Sequence, residues 1–139
     1  MSNIREDHAA AFIALLTAAG LTAFDGEVTG AAPETYVLVY TLFQRPDGSA
    51  APDAISLAGT SIALDVWAYV HCVSSTAASA RALSALVEAA VLDRVLTVAG
   101  RTCAPIRWRE GQLARRDEEI PGKPVHDVVD VYGWRSLPA

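Results

Sequence analysis

Ile62-Ala63-Leu64-Asp65-Val66-Trp67-Ala68-Tyr69-Val70-His71-Cys72 alternates with a period of two, the pattern of a strand half buried against a core. One face of that strand, Ile62, Leu64, Val66, Ala68, Val70 and Cys72, is wholly apolar and belongs under a helix. The other carries Ala63, Asp65, Trp67, Tyr69 and His71. Two large aromatics mixed with an acid and an imidazole suit a surface that a partner covers. Ser74-Ser75-Thr76 follows and offers side-chain oxygens to the free backbone N–H groups of a helix start. The spacing of Ala80, Leu83, Val87, Ala90, Val91, Arg94 and Val98 then predicts one long helix. Gly100, which tolerates a left-handed backbone, is its expected stop.

Working outward, Asn3 with Glu6 three positions on resembles a capping box and opens a first helix. Its apolar side is Ile4, Ala11, Phe12, Leu15, Leu16 and Ala19, and Gly20 ends it with Leu21 poised to touch Leu16. Leu21–Phe24 reads as a short strand turned at Asp25-Gly26. Thr35–Phe43, rich in β-branched and aromatic residues, is the second clear strand, apolar on both faces. Gln44–Ser61 is long for a connection between neighbouring strands. It is expected to project as a loop or hairpin, with Ile55 and Leu57 as apolar residues to bury against a neighbour.

After the central strand and helix, Ile106 and Trp108 alternate with Arg107 and Arg109, and Val125–Arg135 is the last strand. Its faces are Val125, Asp127, Val129 and Val131 against His126, Val128, Asp130, Tyr132 and Trp134. The two segments read as an exposed antiparallel hairpin. Two helices on one face of a mostly antiparallel sheet of about five strands is an α+β fold, here as one domain over residues 1–139.

Fully 52% of the 139 residues are hydrophobic, which is high for a small monomer and favours subunit contacts. No apolar run is long enough to span a membrane. Arg5, Glu6 and Asp7 do not make a secretion signal. The net charge of −5 argues against a nucleic-acid clamp. Residues 1–100 hold four basic and ten acidic residues, whereas 101–139 hold seven and six. Five arginines, Arg101, Arg107, Arg109, Arg115 and Arg116, fall within sixteen residues, as either a solvated hairpin or a docking face. Cys72 and Cys103 read as buried thiols rather than a disulfide.

The search for chemistry returns surfaces rather than a site. His8, His71 and His126 share no metal-ligand spacing, and His71 and Cys72 point to opposite sides of their strand. Asp127 and Asp130 likewise face opposite sides and form no carboxylate pair. No phosphate-cradling loop or nucleophile motif is present, so neither cofactor nor metal nor catalysis is expected. Trp67, Tyr69, Trp108, Tyr132 and Trp134 are assigned to core or subunit packing, because the net charge opposes base stacking.

Several stretches carry a family resemblance. They are Leu15–Leu21, the Phe24-Asp25-Gly26-Glu27-Val28 turn, Pro33 followed by Tyr36–Tyr40, Val70-His71-Cys72 leading into Ala80-Arg81, and Gly100-Arg101 with Cys103–Arg107. In order and spacing the chain resembles the tail terminator (tail completion) proteins of long-tailed bacteriophages, especially those of phages of high-GC actinobacteria. The resemblance implies a small α+β subunit, without catalysis, in a hexameric ring on the head-proximal end of the tail tube. Such a ring ends tube polymerisation and offers a docking surface to the head's connector or stopper protein. DNA passes through it without specific binding, and its place is the virion tail or neck, after assembly in the host cytoplasm. On that reading Trp67, Tyr69, His71, Ile55 and Leu57 are subunit-interface candidates. Arg101, Arg107, Arg109, Arg115 and Arg116 are docking-face candidates. A head-side neck protein is the nearest alternative. A small bacterial ligand-binding or enzymatic dimer, with a pocket at Trp67, Tyr69 and His71, is another.

Overall fold

The computed structural model describes residues 3–44, 63–112 and 125–139, and residues 115–117 as backbone. Asn3 caps α1 (Ile4–Ala18), its side-chain oxygen accepting from the Arg5 N–H. The other end is closed as the sequence requires. Gly20 sits at φ +82°, its N–H donates to Thr17 O, and the Leu21 N–H donates to Leu16 O.

The sheet contains β1 (Ala23–Asp25), β2 (Tyr36–Gln44), β3 (Leu64–Ser74), β4 (Arg101–Cys103), β5 (Arg107–Gly111), β6 (Arg115–Asp117) and β7 (Val125–Pro138). The order across it is β1-β2-β3-β7, and β4, β5 and β6 pair in succession along the far side of β7. The sheet is thus five positions wide, and every pairing is antiparallel except β1 with β2. The expected hairpin therefore forms, but β7 is no exposed arm. It is flanked on both sides and covered on one face by α2 (Ala77–Val91), so Tyr132 and Trp134 are buried beneath the helix. The projecting segment expected beyond Gln44, with Ile55 and Leu57, lies outside the described residues.

The second helix differs from expectation. Thr76 caps it, accepting from the Ser79 N–H, but it ends at Val91 rather than Gly100. Asp93 turns the chain with φ +63°, a conformation aspartate adopts more readily than most residues. The chain then runs extended. The Asp93 N–H donates to Ile106 O, and the Ile106 N–H donates to Arg94 O. Leu96 and Val98 point into the core while Val95 and Thr97 face out. That period-two alternation is present in the sequence, and tertiary pairing with Ile106 outweighs the helical spacing seen from Ala80 onward.

α1 packs on β1 and β2 and reaches β7 and β4 through Phe12 and His8, and α2 lies over β3 and β7. The core between layers holds Phe12 and Leu16 of α1, Leu83, Val87 and Val91 of α2, and the apolar face of β3. Phe12 stacks on Trp134 with ring centroids 5.4 Å apart and planes within 8°. His8 is fully buried at the edge of this layer. Its Nδ1 lies 2.6 Å from Ile4 O, an acceptor only, so Nδ1 carries a proton, and Nε2 faces Cys103 Sγ at 3.9 Å. Both cysteines are free and buried.

Candidate interaction surface

The face of the sheet turned away from the helices is built row by row through strand register. Leu38, His71 and Val129 form one row, and Tyr40, Tyr69 and Val131 the next. Leu42, Trp67 and Gly133 follow, then Gln44, Asp65 and Arg135. Cross-strand neighbours on one face interact directly, which makes each row a unit. Tyr40 stands edge-on to His71 with centroids 5.4 Å apart, and His71 Nδ1 is 2.8 Å from Asp127 Oδ2. Arg135 grips Asp65 with two N–H groups at 2.9 and 3.3 Å. Asp130 points the other way, as its spacing from Asp127 requires. It accepts from Ser84 Oγ of α2 at 2.5 Å and from Trp108 Nε1 at 3.2 Å, tying the helix to β5.

Gly133 carries a signal that periodicity does not convey. A side chain there would meet Arg109 Nε at 2.9 Å and its Cγ at 3.2 Å, because the Arg109 stem lies across the glycine. The guanidinium continues over the Trp67 ring, 5.8 Å from its centroid. A glycine inside an otherwise well-formed strand marks such a close approach. Gly133→Ala is expected to be destabilising in the native chain, because it expels Arg109. In an Arg109→Ala background the same change should be neutral or favourable. Urea denaturation of the four variants should give a coupling of about 0.5–1 kcal/mol; additivity would place Arg109 elsewhere.

The interface candidates Trp67, Tyr69 and His71 thus share one face, each half-buried, beside Tyr40 and Leu42, which are 45% and 42% exposed. Sequence reasoning had not included Tyr40 and Leu42, since a strand apolar on both faces reads as wholly interior. The depression at Trp67 is lined by Asp65, Arg109, Gly133, Trp134 and Arg135, and neither Tyr69 nor His71 contributes to it. Its volume of about 260 Å³ falls below the roughly 300–1,000 Å³ of small-molecule sites. The depression described beside Trp67 is therefore shallow.

The docking candidates are gathered on the strands along one side of β7. Arg101 donates from Nε to Ser136 Oγ at 2.9 Å and from Nη2 to Ser136 O at 2.8 Å. Arg107 pairs with Asp93. Arg115 and Arg116 stand opposite Asp127 and His126 in register. Missed by sequence reasoning was the approach of His8 to Cys103, 95 positions apart. Burial, its largest influence, pushes the Cys103 thiol up in spite of Ser136 and Arg101, which opposes formation of a thiolate there. Among the described residues no group of three or more His, Cys, Asp or Glu is placed to hold a metal ion, and no helix is long and apolar enough to cross a membrane.

No family model matches the sequence, and no curated protein does. Solved structures do. The chain is similar to a chain in the virion of a native gene transfer agent (GTA) particle, with a TM-score of 0.72 at 17% identity over 99% of both chains. A second solved chain matches with a TM-score of 0.66, also at 17% identity, over 100% of this chain and 98% of that one. At this identity the likeness establishes the shared α+β fold.

Proposed function

We propose that this protein is a structural virion subunit. It forms a ring on the head-proximal end of a phage tail tube, ends tube polymerisation and presents the head–tail docking surface. The observation that carries the reading is the end-to-end fold match to a chain of a gene transfer agent virion, over 99% of both chains. The ordered resemblance to tail terminators, the 52% hydrophobic composition and the aromatic sheet face point the same way. In this role the protein has no catalytic function, and its partners are further copies of itself, the tail tube protein and the head's connector or stopper. Trp67, Tyr69 and His71 face a neighbouring subunit. The five arginines meet carboxylates at an axial or inter-subunit face, where charge complementarity sets register. DNA crosses the ring without being held.

Mass measurement and imaging test the ring, which as a hexamer of 14.7 kDa subunits would weigh about 88 kDa. A species no larger than a dimer at high concentration, with no ring on tails, would defeat the reading. Trp67→Ala is expected to weaken assembly by about 2 kcal/mol or more, the scale of an interface anchor, and to lower subunit stability by much less. Loss of several kcal/mol in the isolated subunit would assign Trp67 to the core instead.

A further inference from the structure

The uneven charge of the sequence becomes a polarity across the sheet. Residues 20–44 carry three acidic residues and no basic one, and they build β1 and β2 at one lateral end of the molecule. Asp25, Glu27 and Glu34 are exposed there. Arg5 of α1 lies over the Phe43 ring at the end of β2. Residues 93–117 carry six arginines and three acids, and their strands β4, β5 and β6 occupy the opposite lateral end, beyond β7. Strands β3 and β7 separate the two ends.

Each end also carries an exposed aromatic. Tyr40, with Leu42 beside it, stands near the acidic end. Trp108, 51% exposed, stands on the basic β5 between Arg107 and Arg109. Trp, Tyr and Arg are the side chains most often found as interface anchors. Either edge would repel its own copy across a two-fold axis, whereas the two unlike edges, at opposite ends of the sheet, can join head to tail.

We infer that the partner of these edges is a second copy of this chain. The acidic β1–β2 edge of one subunit, with Tyr40 and Leu42, meets the basic β4–β6 edge of the next, with Trp108. This contact rests on the ring reading and deepens it by assigning which two surfaces close the ring.

The test is a charge-swap series read by sedimentation velocity and native mass spectrometry. Asp25→Lys/Glu27→Lys makes both edges basic, and Arg107→Glu/Arg109→Glu makes both acidic. Arg107 and Arg109 have contacts within the chain, so Arg115→Glu/Arg116→Glu is made as well, as a second acidic variant on another strand, with circular dichroism reporting the folding of each. The wild type is expected to associate, less tightly as salt rises. Each reversed variant alone should associate about tenfold or more weakly. An equimolar mixture of one basic and one acidic variant should recover assembly, with the two alternating in equal number, as an even-membered ring allows. Folded variants that assemble like the wild type, or a mixture that stays monomeric, would overturn the contact. If unaffected variants still form rings on tails, the ring reading stands and only the edge assignment falls. If the wild type is monomeric at every concentration and absent from tail ends, the ring reading falls and takes the contact with it.

Discussion

Phe12→Ala is expected to lower the free energy of unfolding by about 3–5 kcal/mol, measured as a shift of the urea midpoint at unchanged m. Phe12 is fully buried and lies nearly parallel to Trp134, so the truncation removes apolar burial and the stacking partner of the largest core side chain. The void cannot easily collapse. α1 is fixed at both ends by the Asn3 cap and the Gly20–Leu21 termination, and β7 is held in register by β3 along eleven pairs. Total stabilities of domains this size are about 5–15 kcal/mol, so the variant should be at the margin of folding. Phe12→Leu, which keeps most of the volume, should lose less. A loss for Phe12→Ala under about 1 kcal/mol would mean that α1 is not docked on β7 through this ring. The contrast with Trp67→Ala is diagnostic, because Trp134 and Trp67 lie on opposite faces of the sheet.

The second large effect is a loss of stability in alkali. Burial, with the Asp130 and Asp127 carboxylates adding to it, pushes the Cys72 thiol from 9.0 up to about 12. Burial and Asp130 push the Tyr132 phenol up as well, and burial raises Cys103. A raised pKa means that the folded chain holds its proton where the unfolded chain has released it. Below pH 9 both forms are protonated, and these groups leave stability independent of pH. Above pH 9 the unfolded chain ionises first, so stability falls steadily towards pH 12. At about 1.4 kcal/mol per pKa unit, Cys72 alone is expected to remove on the order of 4 kcal/mol by pH 12. Cys72→Ala should flatten the decline between pH 9 and 12, at the cost of a small cavity. Urea midpoints across that window check both, and an equally steep decline without Cys72 would refute the assignment. The same shift should keep Cys72 unreactive towards thiol reagents near neutral pH until the chain unfolds.

How far the residues alone reach is clearest in β3. Its alternation specified which side chains lie under helices, and every assignment from Leu64 to Cys72 holds in the structure, because a period of two leaves a half-buried strand only one way to face. The α1 termination was equally legible, since Gly20 and Leu21 act through bonds confined to one turn. So was the opposite orientation of Asp127 and Asp130. The early end of α2 was not. Helical spacing continues past Val91, and only the pairing of Asp93 and Arg94 with Ile106, more than ten residues away, draws that segment into extended chain.

By itself the sequence determined the α+β class, the two faces of the central strand, both helix starts, the end of α1 and the imbalance of charge, all of which follow from local periodicity and counting. Tertiary structure alone decided that β7 is an inner strand, that Gly133 makes room for Arg109 over Trp67, and that His8 meets Cys103. It also decided that the acidic and basic segments lie at opposite ends of one sheet. The physical reason is range. Side-chain alternation and capping act within a few residues, whereas strand order brings together positions tens of residues apart through contacts that no local pattern encodes.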